Sequence, residues 1–169
     1  KLEVKSTFDP MKKQVTINVA QTQEEKFEFP LSIDVLENGK ISRKEVWVTA
    51  KAKNDFVFDV TKNPELINAN PEGLLLSDIK QDKTPEQLFL QYTTAKDLYS
   101  KYTAIEEAKD QVSKNPFADK LYAAALKDKF YRNRLLALEG LPEDPKSFLA
   151  DVEKLAQNDE KNLVKGAAI

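Results

Sequence analysis

The chain has 169 residues, with 26 Lys and Arg against 28 Asp and Glu, and it contains no histidine and no cysteine. The missing side chains exclude histidine general bases, Ser-His-Asp and Cys-His catalytic pairs, thiolate nucleophiles, and zinc sites built on imidazole or thiolate ligands. The net charge is −2, and the longest uninterrupted apolar run is Leu121–Leu126, so composition predicts neither a nucleic-acid surface nor a transmembrane helix.

The first half of the chain alternates apolar and polar residues with the period of two that is typical of half-buried strands. The longest alternation runs from Phe27 to Val35, and Asn38-Gly39 behind it fits a tight hairpin turn. Pro30 inside this run predicts an edge position or a bulge, because proline cannot donate a ladder hydrogen bond. About seven strands are predicted, as in an antiparallel β-sandwich, near residues 2–8, 15–19, 27–35, 41–50, 56–60, 66–68 and 74–79.

Trp47 lies in Val46-Trp47-Val48, where residues on both faces of the strand are apolar. We predict that this tryptophan belongs to the sandwich core. The alternative is an exposed platform on which a sugar ring stacks, which would make the chain a sugar-binding β-sandwich.

From Thr84 the apolar spacing changes to that of a helix. Thr84-Pro85-Glu86-Gln87 combines an N-cap, a proline at the first helical position and a capping-box glutamine. Later helices are expected to open at Asp97, Asn115, Asp128 and Asp144, with the fourth of the five stopping at Gly140. The second helix is predicted to bury one stripe, made of Ala95, Leu98, Tyr99, Tyr102, Ile105, Ala108 and Val112.

These patterns predict a two-domain α+β protein, with a β-sandwich over residues 1–81 and a helical segment over residues 82–169. Within the helical segment, Lys101–Ile105, Arg134–Leu138 and Lys165–Ile169 share a basic residue, a small residue and then Ile or Leu, at spacings of 33 and 31 residues. Such repetition is typical of an α-solenoid of paired helices. Because the third copy stops in mid-pattern, we expect the natural protein to continue past Ile169. We also expect exposed apolar surface along the stripe through Leu163, Val164, Ala167 and Ile169.

Three short patterns resemble catalytic motifs, but each has a simpler structural explanation. Ser77 and Lys80 have S-x-x-K spacing without the companion motifs of a lysine-activated serine. Glu24-Glu25 and Glu106-Glu107 are adjacent carboxylates, whose side chains point in different directions and cannot flank one bond. We therefore predict no catalytic, cofactor-binding or metal-binding residue in this chain.

The candidate interaction surface is aromatic and basic. Aromatic residues are frequent in the helical half, where core packing is the simpler use, and Tyr122 and Tyr131 are the best candidates for exposure. Arg132 and Arg134 could clamp a carboxylate of a ligand, or could form ordinary ion pairs with Asp128 and Glu139. These four residues, Tyr122, Tyr131, Arg132 and Arg134, form the predicted surface.

The order of parts resembles the C-terminal region of the M1 family of zinc aminopeptidases. The resemblance is carried by Glu45-Val46-Trp47-Val48, the strand Phe56-Val57-Phe58, Gly73-Leu74-Leu75-Leu76, Asp82-Lys83-Thr84 with Gln91-Tyr92, and the following paired helices. It implies a β-sandwich that follows a catalytic domain and leads into a HEAT-like helical domain. The family's zinc motif, H-E-x-x-H, cannot occur in a chain without histidine, and its G-x-M-E-N segment is also absent.

The resemblance implies a non-catalytic accessory region of a hydrolase, without a cofactor of its own, whose parent protein binds zinc. Its partners would be the upstream catalytic domain of the same polypeptide and, indirectly, a peptide substrate, with no role for nucleic acid or membrane. We expect a soluble protein, cytoplasmic or periplasmic. The alternative is a stand-alone scaffold, in which the sandwich and helical repeats bind a protein partner and no enzyme is attached.

Overall fold

Strands occupy the first half of the chain and helices the second, in a computed structural model that describes residues 1–169. The chain divides into two compact units, Lys1–Asp82 and Lys83–Ile169, each with a hydrophobic core of its own. The division into two domains near residue 81 stays a prediction. The strands are β1 (Leu2–Asp9), β2 (Gln14–Gln21), β3 (Phe29–Glu37), β4 (Lys40–Val48), β5 (Lys53–Asp59), β6 (Leu66–Ala69) and β7 (Ile79–Lys80). The helices are α1 (Pro85–Thr94), α2 (Leu98–Ala108), α3 (Pro116–Ala125), α4 (Tyr131–Glu139), α5 (Leu149–Asn158) and α6 (Asn162–Ala167).

The seven strands form two sheets, in the orders β5-β2-β1-β7 and β4-β3-β6. Alternate residues of β2 and β3, such as Ile17 and Ile33, are fully buried and contribute to one core shared by both sheets. The predicted strand over residues 74–79 is mostly a loop, and only Ile79 and Lys80 pair with β1. That pairing is parallel, which the expected antiparallel sandwich did not include.

The Asn38-Gly39 turn and Pro30 of β3 have the positions expected from their residue types. Asn38 and Gly39 have φ values of 52° and 70°, the positive pair that a two-residue hairpin needs. Pairing of β3 with β4 is uninterrupted from Phe29 to Glu37, so Pro30 introduces no bulge. Because β6 pairs only with residues 33–36 of β3, Pro30 lies where the strand has a neighbour on one side only.

The expectation that Trp47 belongs to the core is wrong. Its side chain is 57% exposed, while the next residue, Val48, is fully buried. Successive side chains of a strand point to opposite faces, so a strand with Val48 inside must carry Trp47 outside. Because Val46, Trp47 and Val48 are all apolar, the sequence does not show which face of β4 points to the core. The packing of the two sheets puts the face of Val48 inside.

Local signals place the starts of α1, α2 and α3 correctly, but α4 begins at Tyr131 rather than at Asp128 and α5 at Leu149 rather than at Asp144. The short sixth helix was not predicted, because no capping residue opens it. Thr84 accepts a hydrogen bond from the Gln87 backbone at 3.2 Å, and the Gln87 side chain accepts one from the Thr84 backbone at 3.0 Å, which completes the capping box. Asn115 caps α3, and Gly140 is the C-cap of α4. Helix α5 begins after a short 3₁₀ turn over Lys146–Phe148.

The predicted buried stripe of α2 is wrong over its first two turns. Ile105 and Ala108 are buried, but Leu98, Tyr99 and Tyr102 are 52%, 42% and 49% exposed. The N-terminal turns bury the small residues Ser100 and Ala104 instead, where α2 packs on α1. The buried Gln91 amide of α1 donates to the Ser100 carbonyl at 2.8 Å and to the Thr103 hydroxyl at 2.9 Å.

The helices pack mainly on their near neighbours. Helix α1 contacts α2 and α3, α4 contacts α2 and α6, and α5 contacts α6. The predicted exposure of the last apolar stripe is wrong for Val164, which is fully buried because α6 packs on α4 and α5, whereas Leu163 is 66% exposed and the terminal Ile169 is fully exposed. None of the helices is both long and apolar enough to cross a membrane.

Candidate interaction surface

Tyr122, expected to be exposed, is buried in the helical core. Its side chain is 1% exposed, and its hydroxyl donates to the Ile105 carbonyl at 3.1 Å. Burial raises the pKa of this phenol above its ordinary value. A Cβ atom at Gly140 would collide with the hydroxyl, so the absence of a side chain at Gly140 lets the ring fit there. The expectation of exposure is wrong because the ring faces α2 and the end of α4.

Arg134 is also buried, and it binds a carboxylate of this same chain. Its guanidinium donates to both oxygens of Asp159, at 2.7 and 2.8 Å, and to the backbone carbonyls of Asp128 and Lys129. These hydrogen bonds raise the pKa of Arg134 and lower that of Asp159. Its donors are therefore engaged inside the fold, and neither the predicted Glu139 nor the Asp128 side chain is its hydrogen-bond partner.

A second charged cluster centres on Asp128, in the loop before α4. One carboxylate oxygen accepts from the Tyr92 hydroxyl at 2.6 Å and from the Lys101 ammonium at 2.9 Å, and the other accepts from the Phe130 backbone at 2.8 Å. Burial alone would raise the pKa of Asp128, but these hydrogen bonds outweigh it and lower the pKa to about 2. The Lys101 ammonium also lies 5.1 Å from the centre of the Tyr92 ring.

The two clusters are built in the same way. Asp97, Asp128 and Asp159 lie 31 residues apart, and each accepts a backbone hydrogen bond at the start of α2, α4 or α6. Asp128 also forms an ion pair with Lys101 of α2, and Asp159 forms one with Arg134 of α4. Lys101 therefore links α2 to the loop before α4, and Arg134 links α4 to the loop before α6.

Tyr131 and Arg132 remain accessible at the start of α4. Tyr131 is half-buried against the core, and the charged groups of Arg132 and Lys161 lie 5.8 and 5.9 Å from its ring centre. Arg132 is exposed, and its Nε donates to the Tyr131 hydroxyl at 3.2 Å. Of the four residues of the predicted surface, only Tyr131 and Arg132 are accessible to solvent. Their contact with a partner stays a prediction.

The structure adds a groove that the sequence did not reveal. It has a volume of about 430 Å³ and runs between α2 and α4, with Arg132 at one end and Glu139 at the other. The sequence interpretation placed three of its residues in the core, because aromatic residues at helical spacing look the same whether they face a core or a groove. Its walls are Leu98, Tyr99, Tyr102, Phe130, Asn133, Leu135 and Leu136.

The other candidate motifs have ordinary surroundings. The Ser77 hydroxyl is 3.5 Å from the Asp78 carbonyl, and Lys80 is exposed on β7. Glu107 forms a 3.6 Å ion pair with Lys83, whose side chain is 6% exposed. Burial lowers the pKa of Lys83 and raises that of Glu107, and the attraction between the two groups opposes both shifts. No cluster of three or more Asp or Glu side chains forms a metal-binding arrangement.

Comparison with known proteins is informative at the level of fold. The chain superposes on the crystal structure of Legionella pneumophila aminopeptidase A in complex with aspartic acid, with a TM-score of 0.64 and 16% sequence identity. The match covers 98% of this chain but only 20% of that aminopeptidase. No protein-family description and no curated protein matches the chain. In fold, therefore, the chain resembles part of an aminopeptidase.

Proposed function

We propose that this chain is a non-catalytic accessory region of an M1-like zinc metallo-aminopeptidase. In this proposal its helices form part of a cap over the active site of an upstream catalytic domain, so that a peptide reaches the zinc through a bounded chamber. The observation that carries the proposal is the near-complete match of the chain to one fifth of an aminopeptidase.

The arrangement of the helices supports the cap. Helices α2, α4 and α6 pack in succession, and Lys101 and Arg134 fix each helix to the loop that opens the next one. A series of helices joined in this way is suited to holding the cap surface at a fixed distance from the catalytic domain. The zinc and the catalytic residues belong to the parent in this proposal, since H-E-x-x-H requires histidines that this chain does not contain.

The first experiment measures the mass and activity of the native protein in its source cells. An antibody raised against this chain should detect a band several times the 19.2 kDa of the chain. The immunoprecipitate should release aminoacyl-arylamide chromophores, lose that activity to 1,10-phenanthroline and regain it with added zinc. The purified 169-residue chain, at the same concentration, is the control and should be inactive.

A stand-alone interaction scaffold is the second candidate, and the exposed groove between α2 and α4 is the observation that favours it. The same immunoblot separates the two functions. A native band near 19 kDa, with no chelator-sensitive peptidase activity in the precipitate, contradicts the accessory region and supports the scaffold.

A further inference from the structure

One stripe of α4 forms a wall of the groove between α2 and α4. Arg132, Leu135, Leu136 and Glu139 follow the i, i+3, i+4, i+7 spacing that places side chains on one helix face. The two leucines are half-buried at the centre, and the two exposed charges stand two turns apart at the ends. The face therefore has an apolar middle bounded by one positive and one negative side chain.

The two end charges have no ion-pair partner in this chain. Arg132 has a hydrogen bond and a ring contact with the neighbouring Tyr131. Neither Arg132 nor Glu139 takes part in a salt bridge. Both also oppose the dipole of their own helix, since Arg132 lies in its positive first turn and Glu139 at its negative end. A helix lying antiparallel to α4 would present the opposite dipole to each charge.

The stripe is complementary to itself under a two-fold rotation. If two α4 helices cross antiparallel between residues 135 and 136, Arg132 of each copy meets Glu139 of the other, and Leu135 meets Leu136. Both charges then gain an oppositely charged partner and a favourable helix end, while the leucines cover each other. Leu98 and the rings of Tyr99 and Tyr102, exposed on α2, flank this contact.

We propose that the α2–α4 groove is an isologous interface through which two copies of this chain associate, with their α4 helices antiparallel. The charge complementarity of Arg132 and Glu139 selects a second copy as the occupant of the groove. This inference is independent of the peptidase parentage proposed above, and it requires only the 169-residue chain.

The test is a charge reversal and its rescue, measured by sedimentation equilibrium over a concentration series. The wild-type chain should form a concentration-dependent dimer. Arg132→Glu and Glu139→Arg each place like charges together at both symmetry-related contacts, so each should raise the dimer dissociation constant by more than about tenfold. The double variant restores opposite charges and should recover association, more weakly than wild type because its charges then oppose the dipole of the neighbouring copy.

Controls separate this effect from misfolding and from a general change in charge. Each single variant removes a charge that opposes its own helix dipole, so the thermal midpoint of the monomer should not fall. Lys154→Glu and Glu153→Lys make the same charge changes at exposed sites on α5 and should leave the dimer intact. A chain that is monomeric at every concentration overturns the proposal. A dimer that resists both reversals overturns it as well.

Discussion

At the scale of single residues, Asp128 shows how one carboxylate can organise a loop. Its two oxygens receive the Tyr92 hydroxyl, the Lys101 ammonium and the Phe130 backbone, all within 3 Å. The side chain is 8% exposed, so the hydrogen bonds replace most of the water that the charge loses on folding. The charged form is therefore favoured in the folded state.

Asp128→Asn should lower the free energy of unfolding by about 1–3 kcal/mol at neutral pH, because Lys101 loses a charged acceptor in a buried place. The pKa is about 2 in the folded chain and 3.8 ordinarily, so the unfolded state binds more protons between these values. Wild-type stability should therefore fall by about 2 kcal/mol as the pH drops from about 5 to 2, and the variant should lack this component. Urea unfolding at several pH values measures both effects.

The control for this prediction is Glu153→Gln, which removes an exposed carboxylate from α5. It should change stability by less than about 0.5 kcal/mol and keep the acid dependence of the wild type. Equal acid dependence in wild type and Asp128→Asn would contradict the role given to Asp128.

Residue-scale features could be predicted from sequence where the signal is local. The capping box at Thr84 and the Asn38-Gly39 turn depend on residues within one turn of the chain, and both are present. Burial of Tyr122 and Arg134 could not be predicted, because it depends on helices and loops up to 25 residues away. The ion pair of Arg134 with Asp159 leaves no trace in the residues next to either one.

At the scale of elements, the exposed position of Trp47 on the edge strand β4 makes a quantitative prediction. Trp47→Ala should change the free energy of unfolding by less than about 1 kcal/mol, since little buried contact is lost. Ile33→Ala, at a fully buried position of the neighbouring β3, should cost about 2–5 kcal/mol. Thermal unfolding of both variants gives the comparison, and a large loss in Trp47→Ala would contradict the exposed placement.

Element types were predictable from sequence, whereas their faces and partners were less so. A period of two identifies β2 and β3, and a proline or a capping residue identifies the starts of α1 and α3. The parallel pairing of β7 with β1 joins residues 77 positions apart, and no local pattern encodes it. The groove was missed because the exposed stripe of α2 has the same spacing as a buried one.

At the scale of the whole molecule, the two cores make the predicted domain division testable. The core of residues 1–82 and that of residues 83–169 share no side chain. We expect the two fragments to fold separately, each with a cooperative thermal transition, and their circular dichroism spectra to sum to that of the intact chain.

A shorter fragment over residues 1–60 is the matched control. It lacks β6, which contributes Ile67 and Ala69 to the core, so it should show no cooperative transition. If either long fragment is also unstructured while the intact chain folds, the two-domain interpretation is wrong.

The aspartates that precede α2, α4 and α6 also bear on how such a chain can change length during evolution. Because Asp97, Asp128 and Asp159 are evenly spaced, unequal recombination that duplicates or deletes 31 residues among them leaves each aspartate after the first within reach of the basic side chain of the preceding helix. A change of length that is not a multiple of 31 residues, placed between Arg134 and Asp159, would leave a buried charge without its partner, at a cost of several kcal/mol. We therefore expect related chains that differ in length within this segment to differ by 31 residues, which is one helix pair.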